Sequence, residues 1–178
     1  AKTVLVRADL NVPIGPDGRV SHDRRVRAAA ATIGEILERG GLPVVVSHLG
    51  RPKGEADPAL SLKPVAEALA RALGPNHAVR FVGDCVGPEA ERVVATTQPG
   101  RDAVVLENLR FHPGERENAP AFADALAALA DVYVDDAFSA AHRAHASIVG
   151  TAARMPSAAG RLMERELAAL RAILSEPA

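Results

Sequence analysis

Four groups of residues able to hold an anion each follow a short apolar run. His48 and Arg51, in SHLGRPKG (residues 47–54), come directly after Pro43, Val44, Val45 and Val46. Asp9 and Asn11 follow VLVRA (residues 4–8), Arg110 follows AVVLENL (residues 103–109), and HRAH (residues 142–145) follows DVYVDDAF (residues 131–138). Guanidinium and imidazole groups so placed would neutralise and hydrogen-bond a phosphate or carboxylate, and Arg suits this best because its planar fork engages two oxygens at once. If the apolar runs are strands of an open parallel α/β sheet, the loops after them converge on one edge, where such folds bind ligands. The repeated pattern therefore points to one site for a small, strongly anionic ligand. Arg25, in HDRRVRAAAATI (residues 22–33), lies near the start of a helical pattern, where free N–H groups also favour anions. Arg24, Arg25 and Arg27 cannot all face the same way, and composition does not choose among them. Asp9 either pairs with neighbouring cations or accepts a hydrogen bond from a ligand hydroxyl, with Asn11 offering a donor amide.

Other chemistries find little support. GRPKG (residues 50–54) has neither the spacing nor the hydroxyl after Lys of a phosphate-cradling loop with a magnesium ligand, and no GxGxxG follows the first apolar run. His142 and His145 are three apart without a Cys pair or second carboxylate at ligand spacing. No metal site is expected there, and the pair faces an anion or caps a loop. A net charge of -1 gives no global basic field, and the absence of Trp, with one Tyr and four Phe, leaves little surface for stacking bases. No nucleic-acid partner is expected. Three Lys stand against eighteen Arg, which fits anion recognition or simply the codon usage of a GC-rich genome. The single Cys85 excludes an internal disulfide and reads as a small buried apolar residue. With neither a leader pattern at the amino terminus nor an apolar run near the ~18 residues of a membrane span, a soluble, cytoplasmic protein is expected.

The elements that must position these residues alternate. Buried strands are predicted at residues 3–8, 43–47, 78–82, 103–107 and 131–134. Helical patterns at three and four spacing lie between them: Val26, Ala29, Ala30, Ile33, Ile36 and Leu37; Leu62, Val65, Ala66, Leu69 and Leu73; Phe122, Leu126 and Leu129. Gly40 with Gly41 and Gly74 with Pro75 stop two helices, and Gly87 with Pro88 opens another. This predicts one α/β domain, a doubly wound, Rossmann-like parallel sheet of five to six strands with helices on both faces and right-handed crossovers. Residues 157–174 read as a last helix capped by Ser157, with Met163, Leu167, Leu170 and Leu174 on one stripe.

VLVRADLNVP, SHLGRPKG, SLKPVAEAL, DCVGPE, LENLRFHPGE, AAHRAHAS and AAGRLMEREL, in that order along nearly the whole chain, resemble the amino-terminal domain of phosphoglycerate kinase. The resemblance implies the glycolytic transfer of a phosphoryl group between ATP and the carboxylate of 3-phosphoglycerate. The acid, or 1,3-bisphosphoglycerate, would bind here, and Mg-ATP or ADP on a nucleotide-binding domain that this chain does not include. Residues 1–156 would form the acid-binding domain and residues 157–178 a helix resembling the interdomain helix. Asp9 and Asn11 would hold the hydroxyl and carboxylate end of the acid. His48, Arg51, Arg110 and Arg143 would cradle its phosphate, with His142 and His145 close by. Arg25 would be the catalytic residue, touching the reacting carboxylate and the phosphoryl group in flight.

Such a chain is expected to be a monomer that binds the acid without turning over. The alternative is a stand-alone module sensing phosphorylated acids, which would not need Arg25 aimed at the carboxylate. Departures from the family pattern fall at Ser139 and Ala140, where Gly and Thr are usual, at Asp135, usually Asn, and at Arg161, usually aromatic. They bear on the loop that presents Arg143, on charge near the phosphate, and on packing of the last helix.

Overall fold

A computed structural model describes residues 1–175. Strands β1 (Thr3–Ala8), β2 (Leu42–Val46), β3 (Ala78–Val82), β4 (Asp102–Leu106), β5 (Val132–Asp136) and β6 (Ser157–Ala159) form one sheet in the order β3-β4-β2-β1-β5-β6. Every pairing is parallel. Successive side chains of a strand leave opposite faces, so each strand feeds two cores. On one face Val6, Val45 and Val105 meet Val26, Ala29, Ile33 and Leu37 of α1 (Arg24–Glu38) and Val65 and Leu69 of α2 (Lys63–Leu73). On the other, Leu5, Val44, Val104 and Leu106 meet Ala90 and Val94 of α3 (Pro88–Thr96) and, beyond the single turn α4 (Pro113–Arg116), Phe122 and Leu126 of α5 (Pro120–Ala127). Strands β2 and β4 are buried at every residue, which is why residues 42–46 and 103–106 read as unbroken apolar runs.

β1 leads through α1 to β2 on one side of itself, whereas β5 leads to β6 on the other. The crevice of an open α/β sheet therefore falls between the carboxyl ends of β1 and β5. Among the described residues, no helix is long and apolar enough to cross a membrane.

The last helix, α6 (Arg161–Ser175), departs from expectation. Residues 157–159 form β6 on the edge of β5, and the Ser157 hydroxyl donates to the Ala152 and Met155 carbonyls at 3.0 and 2.9 Å rather than capping a helix. Ser-Ala-Ala carries no strand signal of its own; the unpaired edge of β5 makes it one. The cap is Asp136. Its Oδ1 accepts from the Leu162 and Met163 amides at 2.8 and 3.2 Å, and its Oδ2 from the Thr32 hydroxyl at 2.6 Å. Arg161 donates to both carboxylate oxygens of Glu35 at 2.6 and 2.7 Å and to Glu164 at 2.7 Å, so the residue that departs from the family pattern ties α6 to α1. Of the apolar stripe only Met163 is buried, while Leu167, Leu170 and Leu174 are exposed.

Gly160 makes the cap possible, because a Cβ there would lie 2.3 Å from Asp136 Oδ1. Gly160→Ala is expected to destabilise the chain by about 1–3 kcal/mol, the usual cost of overpacking. Urea unfolding should show a lower midpoint with an unchanged slope.

A candidate anion site at the strand exits

Asp9, directly after β1, is buried. Its Oδ1 accepts from Arg25 Nη1 at 3.0 Å, and its Oδ2 from the Ser139 hydroxyl at 2.7 Å. Both partners come from beyond the strand, Arg25 from the first turn of α1 and Ser139 from the short turn Phe138–Ala140 after β5. The crevice is thus bridged by Asp9 itself. Arg25 also donates to the Asn11 carbonyl at 3.1 Å. The backbone of Ser139 needs no glycine, since its φ is not positive. Ser139 instead supplies a hydroxyl that engages the site's carboxylate.

The loop after β2 is fastened from three sides. Gly50 donates from its amide to Asn11 Oδ1 at 2.9 Å and accepts at its carbonyl from Arg110 Nη1 at 2.8 Å, so one residue links the exits of β1, β2 and β4. It does so at φ +61, with Leu60 so near that a Cβ would come within 2.7 Å of it. Asn108 Nδ2 holds the same loop by donating to the Leu49 and Leu60 carbonyls at 2.8 and 2.9 Å.

Around this loop gather His48, Arg110, Arg143 and His145. Arg110 is buried, and its guanidinium is made less basic first by burial and then by the nearby charges of Arg143 and Arg7. Arg143 is exposed, and its backbone closes the turn to the Ala140 carbonyl at 3.0 Å. His145 sits with Nδ1 3.6 Å from Glu115 Oε1. Arg51 and His142 are exposed. They follow the same strands, but no side-chain hydrogen bond joins either to the cluster among the described residues. Asp135, half-buried beside Arg7, accepts from the Ala137 amide at 3.0 Å, and burial foremost makes its carboxyl less acidic.

One expectation needs correcting: His48 is not a cation. Its imidazole is pushed down to about 2, chiefly by burial and then by the charges of Arg7, Arg110, Arg143 and His145. An unfolded His48 takes a proton near pH 6.5 and the folded one does not. Below that pH the unfolded state binds more protons, and stability falls as pH drops. The slope from His48 alone reaches about 1.4 kcal/mol per pH unit. His145, lowered first by burial although Glu115 opposes the shift, adds in the same direction. His48→Gln should flatten the denaturation midpoint between about pH 6 and pH 4.5 relative to the parent chain.

Three buried residues of this region escape a sequence reading: Arg7, Glu115 and Ser147. Arg7 points from β1 into the cluster, donating to His48 Nδ1 at 2.9 Å and to the Ser147 hydroxyl at 3.0 Å. Asp84, Cys85 and His112, at the exits of β3 and β4, also place metal-binding atom types within 4.8 Å of one another. Their polar atoms already satisfy each other: Asp84 Oδ1 lies 2.7 Å from His112 Nε2 and accepts from the Cys85 amide at 2.6 Å. Burial keeps the Cys85 thiol protonated. A concavity of about 690 Å³ lies between α1 and α2, lined by residues such as Asp23, Arg27 and Arg71, away from the strand exits. A smaller one of about 320 Å³ is lined by Asp9, Arg25, Ser139, Leu162 and Glu166. Charge and convergence, not volume, mark the site.

Parallel strands that bring arginine and imidazole groups to the edge beside a switch point define an α/β domain of the doubly wound class with a candidate anion site. The phosphoglycerate kinase family model matches residues 1–178, and the chain belongs to that family. It is 53% identical to the phosphoglycerate kinase of Rhizorhabdus wittichii over 176 residues, 99% of this chain and 43% of that protein. It is 52% identical to that of Moorella thermoacetica over 176 residues, 99% of this chain and 44% of that protein. Among solved structures it resembles phosphoglycerate kinase from Pyrococcus horikoshii OT3, with a TM-score of 0.87 and 33% identity over 99% of this chain and 44% of that one. The enzyme from Coxiella burnetii gives a TM-score of 0.83 and 36% identity over 97% and 41%. The chain thus spans less than half the length of these relatives.

Proposed function

We propose that this chain is the 3-phosphoglycerate-binding part of a phosphoglycerate kinase. Residues 1–156 form the acid-binding unit and residues 157–178, of which 176–178 lie outside the described residues, the connection toward a nucleotide-binding unit. Arg51, Arg110 and Arg143, with His48 as a neutral donor and His142 and His145 beside them, receive the phosphate; Asp9 and Asn11 receive the hydroxyl and carboxylate end. The observation that carries this reading is that Arg110 and Arg143 lie close enough to repel, with neither in an ion pair among the described residues. A dianionic phosphate between them would relieve that repulsion.

The reacting carboxylate has a pKa of about 3–4 and is ionised at neutral pH, so it needs no general base. It needs shielding from the anionic phosphoryl group it attacks, and Arg25 supplies positive charge without moving a proton. Mg-ATP is the phosphoryl donor. Asp9, directly after β1, is already engaged by Arg25 and Ser139 and does not fit a magnesium seat, and the nucleotide belongs on the remainder of a full-length enzyme.

Titration calorimetry should detect 3-phosphoglycerate binding at low salt, weakening steeply as salt rises because the cradle is built mainly from charge. The purified chain should consume no ATP alone and should do so when mixed with a separately made nucleotide-binding domain. No heat at millimolar ligand and low salt would overturn the proposal. Binding without any restored turnover would favour the stand-alone sensor of phosphorylated acids.

A further inference from the structure

We propose that Arg7 and Glu115 are positioning residues that hold His48 as its Nε2–H tautomer, so that His48 meets the bound anion as an uncharged hydrogen-bond donor. This rests on reading the strand exits as the 3-phosphoglycerate site and adds to it the protonation state in which one of its members works.

Arg7 is fully buried, yet β1 places it on the face that carries Leu5 into the core. Three of its donors have fixed acceptors: the Ser147 hydroxyl at 3.0 Å, the Ala8 carbonyl at 2.6 Å and His48 Nδ1 at 2.9 Å. A guanidinium has donors only. His48 Nδ1 must therefore be the acceptor, and the ring's single proton sits on Nε2. The Ser147 hydroxyl, receiving from Arg7, donates to Glu115 Oε1 at 2.7 Å, and the Ser147 amide donates to Glu115 Oε2 at 2.9 Å. Glu115 is as buried as Arg7. A lone buried guanidinium is costly, and the carboxylate one hydroxyl away makes this one tenable. Asp135, opposite Arg7 in the β1–β5 register, is a second, weaker counter-charge. Tyr133 fixes the segment from below by donating to the Ser147 carbonyl at 2.8 Å.

The groups facing His48 are Arg7 from β1, Arg110 from beyond β4, and Arg143 and His145 from beyond β5. None is a carboxylate that would reward a second proton on the ring. The contribution of His48 to the cradle's charge then stays constant through neutral pH, and His48 cannot leak a proton to the ligand.

The test is a two-bond proton–nitrogen correlation spectrum of the chain labelled at histidine, with His48 assigned by its loss in His48→Gln. The expected pattern is a protonated Nε2 and a bare Nδ1, unchanged from about pH 8 to about pH 5, where exposed histidines titrate. In Arg7→Met/Glu115→Gln, which removes both buried charges at similar volume, Nδ1 loses its fixed donor and His48 should show both tautomers. A parent chain with the proton on Nδ1, or with His48 titrating near pH 6, would overturn the proposal, as would a folded double variant with an unchanged pattern. Should the double variant not fold, the parent spectrum still decides the tautomer. Failure of 3-phosphoglycerate to bind would sink the proposed function, whereas the tautomer of His48 in the ligand-free chain tests the role of Arg7 by itself.

Discussion

In a full-length phosphoglycerate kinase carrying this chain, Arg25→Ala is expected to lower kcat by about 10²–10³, the usual effect of removing one preorganised group aimed at developing charge. The KM for 3-phosphoglycerate should move little. Arg25 is half exposed and rests on Asp9 and the Asn11 carbonyl, so its removal leaves Asp9 still bonded to Ser139. Its partner charge is greatest during transfer, and an interaction made only then acts on the rate. Arg110→Ala should instead raise KM, because the phosphate it faces is unchanged by the reaction; some loss of rate is expected if phosphate binding also drives closure. Steady-state kinetics at saturating nucleotide separate the two. Equal signatures for the two variants would contradict the division of labour while leaving the family assignment intact.

Arg7→Ala carries the largest expected cost in stability, about 3–5 kcal/mol, because it strands Glu115 as a buried carboxylate without its compensating charge. A domain of this kind has only about 5–15 kcal/mol in total, so the denaturation midpoint should fall by about a fifth or more. Glu115→Ala should cost a similar amount, and the double variant less than the sum, since both losses come from one network. A loss below about 1 kcal/mol for Arg7→Ala would show that the network contributes little.

Arg7 is hard to recognise in the sequence for a physical reason. In VLVRA it looks like an interruption at the end of an apolar run, whereas a charged residue within a buried strand is itself a signal that something must pair with it. Its partners, Ser147 and Glu115, lie 140 and 108 positions away, a separation that periodicity cannot bridge. Asp9, His48 and Arg110 were legible because the strand exit is a local feature. β1 and β3 begin and end where their apolar runs do, and β2 and β4 lie one residue earlier than the runs suggest. β6 was invisible because its pairing belongs to β5 rather than to Ser-Ala-Ala. His48 reads as a cation when charge is judged by residue type, and burial among arginines decides it the other way.

The most direct test of the strand-exit site is an amide proton–nitrogen titration of the chain with 3-phosphoglycerate at low salt. The expected result is saturable shifts concentrated at residues 9–11, 48–51, 110 and 142–145, with the cavity between α1 and α2 unaffected. Saturable shifts confined to the residues lining that cavity, or no shifts at millimolar ligand, would contradict it.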